Sequence, residues 1–349
     1  MTCADNLGSE VDLPLQRLEP YLRYRIPGLD APMVWTRFTG GQSNPTYRAD
    51  SGARQIVLRR KPYGPLLPSA HAIEREARVI AALAPTPVPV PEVLCVCEDT
   101  SVIGAAFYVM GYVAGDVHFD TRLPEMPAVM RAAVYDALID TLAAIHGADV
   151  ATLGLADYGR SGGYIARQTA RWAKQYRATE TGEIPAMERL IAALPEAVAA
   201  IPDETCLVHG DYRLDNVKFA AGSARPVAVL DWELSTLGHP LADLAYLLMV
   251  WDFPADLRWG LADADLHTLG IPTADALAAR YAAKTGRDGI ADLDLLVAYN
   301  AFRMAAIIQG VYRRGLDGNA ADAAAVTMGA DVPRLAEVAL ARAARVGIV

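Results

Sequence analysis

The sequence predicts an α+β fold in two lobes: a small antiparallel β-sheet with one inward-facing helix, followed by a mainly helical lobe. Three observations predict it. Short strand-like runs bounded by turn signals crowd the first third, at 46–49, 55–58, 93–97 and 106–110. After Asp116 the apolar spacing changes to that of helices. A polar stretch at 208–216, Val-His-Gly-Asp-Tyr-Arg-Leu-Asp-Asn, interrupts the second part and is followed by an apolar run ending in Asp231.

At 349 residues the chain is long for one small core and suits two lobes, read here as 1–113 and 114–349 with a hinge about 110–115. Hydrophobic residues make up 53% and charged ones 21%, which excludes a disordered chain. The net charge of -9 argues against general nucleic-acid or membrane-surface binding, which needs a basic face. None of the four cysteines forms a C-x-x-C pair and the six histidines are scattered, so neither a zinc site nor a disulfide framework is expected. Cys95 and Cys97 fall on one face of a strand, the pattern of core packing. Residues 1–10 show no basic region or apolar run, and the apolar stretch 241–251 is short and carries Asp243. The expectation is a soluble, cytoplasmic protein with no membrane and no nucleic-acid partner; its oligomeric state is not legible.

Taken in order, Val11, Leu15, Leu18 and Leu22 have helical spacing, and Pro27-Gly28 stops that helix. Phe38-Thr39-Gly40-Gly41-Gln42-Ser43-Asn44 leads into the first hairpin, which turns at Asp50-Ser51-Gly52. Strand alternation puts Val57 and Arg59 on one face. The next helix is predicted over 70–83 with Ser69 as N-cap, Glu74 paired with Arg78, and Glu76 on the apolar face of Ile73, Ala77 and Ile80. A carboxylate on a buried face requires a partner, and Arg59 is the natural one. Residues 85–91 form a stiff proline-rich connector. In the second lobe, helices are predicted at 128–146 (Val129, Val134, Leu138, Leu142 and Ile145 inward), 164–177, 185–200, 240–250, 273–285, 293–312 and 320–344. A hairpin joins 217–220 to 227–230. The helix at 164–177 carries Arg167, Arg171, Lys174 and Arg177, a stripe that reads as a solvated face or as a contact for an anionic substrate.

The stretch His209-Gly210-Asp211-Tyr212-Arg213-Leu214-Asp215-Asn216 fits H-x-D-x-x-x-x-N. Phosphoryl transfer from ATP needs such a set: one carboxylate to orient and deprotonate a hydroxyl, and an amide oxygen with a second carboxylate to hold Mg²⁺. On this reading Asp211 is the base and Arg213 offsets charge on the transferring phosphate. Asn216 and Asp231 hold Mg²⁺, brought together by the hairpin. Gly40, Gly41, Ser43 and Asn44 let the backbone approach ATP phosphates. Val57 covers the adenine, Arg59 paired with Glu76 meets the phosphates, and Met110 and Tyr112 belong to the hinge along the adenine edge. His209 bonds the loop backbone, Asp243 braces the loop, and Glu233 is read as a surface group, with a spare metal contact as the alternative. Arg303, Gln309 and Tyr312 are guesses at the substrate pocket.

On these motifs the chain resembles the aminoglycoside phosphotransferase/choline kinase superfamily, which has the protein-kinase-like bilobal fold; the carriers are His209-Gly210-Asp211, Leu230-Asp231-Trp232 and Asp243-Leu244-Ala245. It is more similar to the kinase-like N-terminal segments of two-part acyl-CoA dehydrogenases and their free-standing bacterial relatives, through residues 41–47, 66–71, 209–216 and 231–240. The resemblance implies ATP and Mg²⁺ as cofactors and a small hydroxylated acceptor of the hydroxyacyl-CoA kind. Arg59 stands where the wider superfamily has lysine, and Arg213 where antibiotic kinases often have histidine. Both departures lead away from an antibiotic substrate.

Two other readings stay open. One is an aminoglycoside or other amino-alcohol phosphotransferase, which needs an acidic substrate cleft. The other is a nucleotide-binding pseudokinase; intact Asp211, Asn216 and Asp231 argue against it.

Overall fold

The computed structural model describes residues 7–8, 11–38, 44–64, 72–257, 259–319 and 323–349, with backbone alone at 7, 8 and 323. In chain order the first elements are β1 (Leu7–Gly8), α1 (Leu15–Arg25), β2 (Val34–Phe38), β3 (Thr46–Ser51), β4 (Arg54–Arg60), α2 (Ile73–Leu83), β5 (Val93–Cys97), β6 (Phe107–Gly111) and β7 (Asp116–Val117). Then come α3 (Ala128–His146), α4 (Tyr164–Thr179), α5 (Pro185–Ala199), β8 (Cys206–Val208), β9 (Val217–Phe219), β10 (Pro226–Val229), β11 (Thr236–Gly238) and α6 (Pro240–Leu248). The chain ends with α7 (Leu266–Leu269), α8 (Ala274–Thr285), α9 (Leu293–Leu316) and α10 (Asp331–Arg345).

The chain divides into two compact units. The first holds residues 1–118, 151–156 and 215–235; the second holds 119–150, 157–214 and 236–349. Asn216 and Asp231 therefore belong to the first unit, and Asp211 and Arg213 to the second.

In the first unit six strands pair antiparallel in the order β1-β2-β3-β4-β6-β5. One face buries Tyr47, Ala49, Ile56, Leu58, Phe107 and Val109, with Leu18 and Leu22 of α1 packed on it. Cys95 and Cys97 lie in this core as free thiols. Helix α2 packs on β5 and β6 through Ile73, Glu76, Ala77, Ile80 and Leu83. Within the described residues it begins at Ile73, with Ala72 before it making no side-chain cap; the expected cap Ser69 lies outside them. Glu74 takes Lys61 of the neighbouring chain segment as its partner, and Arg78 donates to the Gly154 carbonyl at 2.6 Å. The expected pairing of Glu74 with Arg78 is thus replaced by contacts outside the helix. A second small sheet, β10-β9-β7, completes the unit.

The second unit is helical, with a two-stranded β8–β11 ladder. α9 is its axis, packed against α4, α5, α6 and α10. It is long and apolar enough to cross a membrane, yet 78% of its apolar window is buried against protein. α3 has the predicted bounds, but Val129 is exposed while Val134, Leu138, Leu142 and Ile145 are buried. Val129 precedes Val134 by five positions, which turns it off the buried stripe. The helix predicted over 320–344 is a 3₁₀ segment, Ala323–Ala330, followed by α10. Pro333, lacking an amide donor, falls in the first turn of α10, where that donor is not required.

Candidate active site

In the first unit, four charged or polar groups gather around Arg59. Its Nε lies 3.0 Å from Oε2 of Glu76, and its Nη2 lies 2.8 Å from Asp231 and 3.1 Å from Glu233. Asn44 Nδ2 donates to Glu233 at 3.4 Å. Glu76 is 2% exposed, as its place on the inner face of α2 predicts. Burial pushes its pKa up to about 7 against the pull of Arg59. For Arg59 burial opposes the charge, but Glu76 and then Asp231 outweigh it and hold the pKa above the usual range. The pair expected from the sequence exists, and it is wider than expected. Glu233 is not a free surface group but a third carboxylate on the same guanidinium. The 3₁₀ turn Trp232–Leu234 buries Trp232 and carries Glu233 to the guanidinium that also meets Asp231.

The hairpin does what its sequence predicts. Val217 pairs with Val229, and the Leu230 amide donates to the Asn216 carbonyl at 2.8 Å. That register sets Leu230 opposite Asn216 and Asp231 two residues beyond the end of β10. Asp231 itself has φ 62° and ψ 56°, a left-handed conformation uncommon outside glycine. Asn216 is buried.

Val57 is buried and pairs with Met110 across β4–β6, so the two side chains belong to neighbouring strands of one sheet. In the segment expected to be the hinge, two backbone amides already have partners. The Gly111 amide bonds Glu92 at 2.9 Å and the Tyr112 amide bonds Gln55 at 3.1 Å, so both are committed to protein carbonyls. The Val113 carbonyl accepts from buried Lys218 at 3.0 Å. The Tyr112 ring has two cations over it, Arg48 at 4.3 Å and Lys218 at 4.7 Å, in cation–π contact. Gly40, Gly41 and Ser43 lie outside the described residues.

In the second unit the loop after β8 is braced from behind. Both oxygens of Asp243, at the start of α6, accept backbone amides: His209 N at 2.6 Å and Gly210 N at 2.9 Å. Burial acts to raise the pKa of Asp243, but His146, 3.5 Å away, and the charge and amide of His209 lower it below the usual carboxylate value. His209 Nδ1 in turn accepts from the Asp211 amide at 3.2 Å, the structural part expected of it. Gly210 has φ 82°, a turn that a side chain would strain. Asp211 is held by Arg213, 3.2 Å from its Oδ1, and by the Tyr246 hydroxyl, which donates to Oδ1 at 2.6 Å. The Arg213 guanidinium lies over Trp259 at 4.6 Å. Burial, then the charge of Asp211, keeps the Tyr246 hydroxyl above its usual pKa range, so it stays a donor. Arg303 of α9 donates to the Gly210 carbonyl at 2.6 Å. It is buried and braces the loop; Gln309, bonded to the Thr179 carbonyl at 2.7 Å, is equally buried. Tyr246 escaped the sequence reading because a tyrosine in an apolar helix carries no local signal of what its hydroxyl meets.

Among the described residues no cluster of three or more His, Cys, Asp or Glu is arranged to hold a metal. The oxygens of Asn216 and Asp231 suit Mg²⁺, which binds through few carboxylates and fills its shell with water and phosphate oxygens.

The chain has known relatives. The chain is 46% identical over 330 residues to mouse acyl-CoA dehydrogenase family member 10, covering 94% of this chain and 31% of that protein. It thus spans about a third of the length of that relative. A crystal structure of a candidate aminoglycoside phosphotransferase from Ralstonia eutropha JMP134 superposes with a TM-score of 0.86 at 42% identity, covering 95% of this chain and 99% of that one. The aminoglycoside phosphotransferase APH(4)-Ia, in a ternary complex with ADP and hygromycin B, shares the fold at 16% identity, with a TM-score of 0.61 and coverage of 94% and 99%. The fold is therefore the protein-kinase-like one. The profile of the phosphotransferase enzyme family matches residues 34–290, most of the chain, and the protein belongs to that family.

Proposed function

We propose that the chain is a small-molecule kinase that transfers the γ-phosphoryl group of ATP, with Mg²⁺, to a hydroxyl of a metabolite of the hydroxyacyl-CoA class. The carrying observation is the Arg59 cluster. One guanidinium, anchored by buried Glu76, stands beside the carboxylate of Asp231. Anionic phosphates need such a cation, and a metal bridging them needs such a carboxylate. ADP in the APH(4)-Ia complex supports a nucleotide in this role.

Each residue then has a task. Asp211 accepts the hydroxyl proton and aims the oxygen. Arg213 offers positive charge to the phosphate in transfer. Asn216 and Asp231 would hold Mg²⁺, which when bound neutralises phosphate charge. Asp243 and His209 keep the loop backbone in place. Kinship with an acyl-CoA dehydrogenase family member supports the acceptor class. So do Arg171 and Lys174, exposed on one side of α4, which suit an acceptor bearing phosphates. A second reading, an aminoglycoside or other amino-alcohol acceptor, is favoured by the likeness to the Ralstonia protein.

ATP consumption screened against hydroxyacyl-CoAs and aminoglycosides, on the unaltered protein and Asp211→Asn, tests both. Mg²⁺-dependent turnover on a hydroxyacyl-CoA that falls by about 100-fold or more in the variant is expected. Equal activity of the variant removes Asp211 as base, and turnover on aminoglycosides alone selects the second reading.

A further inference from the structure

Behind Asp211 lies a buried polar assembly that the chemistry above leaves without a task. Arg303 is 6% exposed and has aromatic faces on two sides, Tyr246 at 4.8 Å and Trp172 at 5.6 Å from its guanidinium carbon. Its Nη2 ends on the carbonyl of Gly210, whose own amide is held by Asp243. Tyr246, 3% exposed, shares a face with Arg303 and ends on Oδ1 of Asp211. A guanidinium out of water is costly unless its charge is met; ring faces and a carbonyl meet it here. A merely structural residue at this depth has cheaper apolar substitutes.

We propose that Tyr246 and Arg303 are positioning residues for the reaction: Tyr246 fixes the rotamer of the Asp211 carboxylate, and Arg303 fixes Tyr246 and the Gly210 peptide in turn. The two acceptors they hold, Gly210 O and Asp211 Oδ1, belong to consecutive residues. Asp243 grips the amide of the same residue, in the preceding peptide group, so Gly210 is held at both ends. The backbone before Asp211 and the carboxylate are then fixed by separate bonds from α6 and α9, two elements outside the loop. A base that must meet a hydroxyl within hydrogen-bond reach gains directly from such fixing, because misplacement near 1 Å is costly to rate. This inference rests on the kinase reading for its rate consequence, and on geometry alone for the rotamer.

Tyr246→Phe deletes one oxygen and keeps the ring that covers Arg303, so the fold is retained; Tyr135→Phe is the control. Tyr135 is equally buried, and its hydroxyl bonds the Thr121 carbonyl, away from the loop. Expected for Tyr246→Phe is a fall in kcat of about 10- to 100-fold with KM for MgATP changed less than about twofold. Its crystal structure is expected to have the Asp211 carboxylate rotated or in two rotamers. Tyr135→Phe is expected to change neither. Arg303→Met is expected to lose kcat as Tyr246→Phe does, and Arg303→Lys to recover part of it. An unmoved Asp211 rotamer in Tyr246→Phe overturns the proposal, as does a lowered melting temperature with kcat untouched. If the unaltered protein turns over no acceptor, the kinase reading fails by itself, and the rotamer in the Tyr246→Phe crystal still decides the positioning claim.

Discussion

The guanidinium of Arg59 and the carboxylate of Glu76 lie 3.0 Å apart, with Glu76 almost wholly removed from solvent. Glu76 has its pKa raised by burial to about 7, so the folded state binds its proton more tightly than the unfolded chain. The stability it adds is full below its ordinary value of 4.5 and is lost as pH rises to about 7. Replacing it by Gln removes that dependence. Urea unfolding across this window is expected to show the unaltered protein losing stability relative to Glu76→Gln as pH rises. Parallel curves refute the raised pKa.

Arg59 also meets Asp231 and Glu233, so its loss leaves three carboxylates around an uncompensated site. Arg59→Met is expected to raise the dissociation constant for MgATP by about 10-fold or more, since a charge-assisted contact contributes about 1.5–3 kcal/mol. Arg59→Lys keeps charge but not the fork that reaches several oxygens, and an intermediate affinity is expected. Calorimetric titration with a non-hydrolysable ATP analogue measures this.

Asp243 accepts two backbone amides with two oxygens. Asp243→Asn keeps one acceptor and sets an NH₂ group against the other amide. A loss of about 2–4 kcal/mol is expected, read as a lower urea midpoint. Because the carboxylate pKa is lowered in the fold, its contribution is present above the ordinary value of 3.8 and is lost as pH falls. The gap between the two proteins is therefore expected to narrow in acid.

Gly115 has φ 153°, and a Cβ there would lie 2.3 Å from the Phe219 carbonyl oxygen and 3.1 Å from Val227. The obstacle is backbone, which cannot rotate aside. Gly115→Ala is expected to destabilise by about 1–3 kcal/mol, seen as a lower melting temperature. An unchanged melting temperature would mean that the strands around Phe219 yield.

Much of the first unit was legible because its cues are local. Alternation along β4 fixed which face Arg59 occupies, and helical period fixed which face Glu76 occupies. A buried carboxylate and a cation on neighbouring elements then had to find each other. The hairpin was legible for the same reason: a turn between two apolar runs sets its register, and the register sets Leu230 against Asn216, with Asp231 next in the chain.

The sequence by itself determined the fold class, the family motifs and the pairing of Arg59 with Glu76, because spacing along the chain encodes periodicity and turn chemistry. It could not assign Glu233, Tyr246, Arg303 or the hinge amides. Each of these is decided by a partner far along the chain: Glu233 by Arg59, Tyr246 by Asp211, Arg303 by Gly210, and the Tyr112 amide by Gln55. A buried polar group must find a partner, but packing of distant segments alone decides which one.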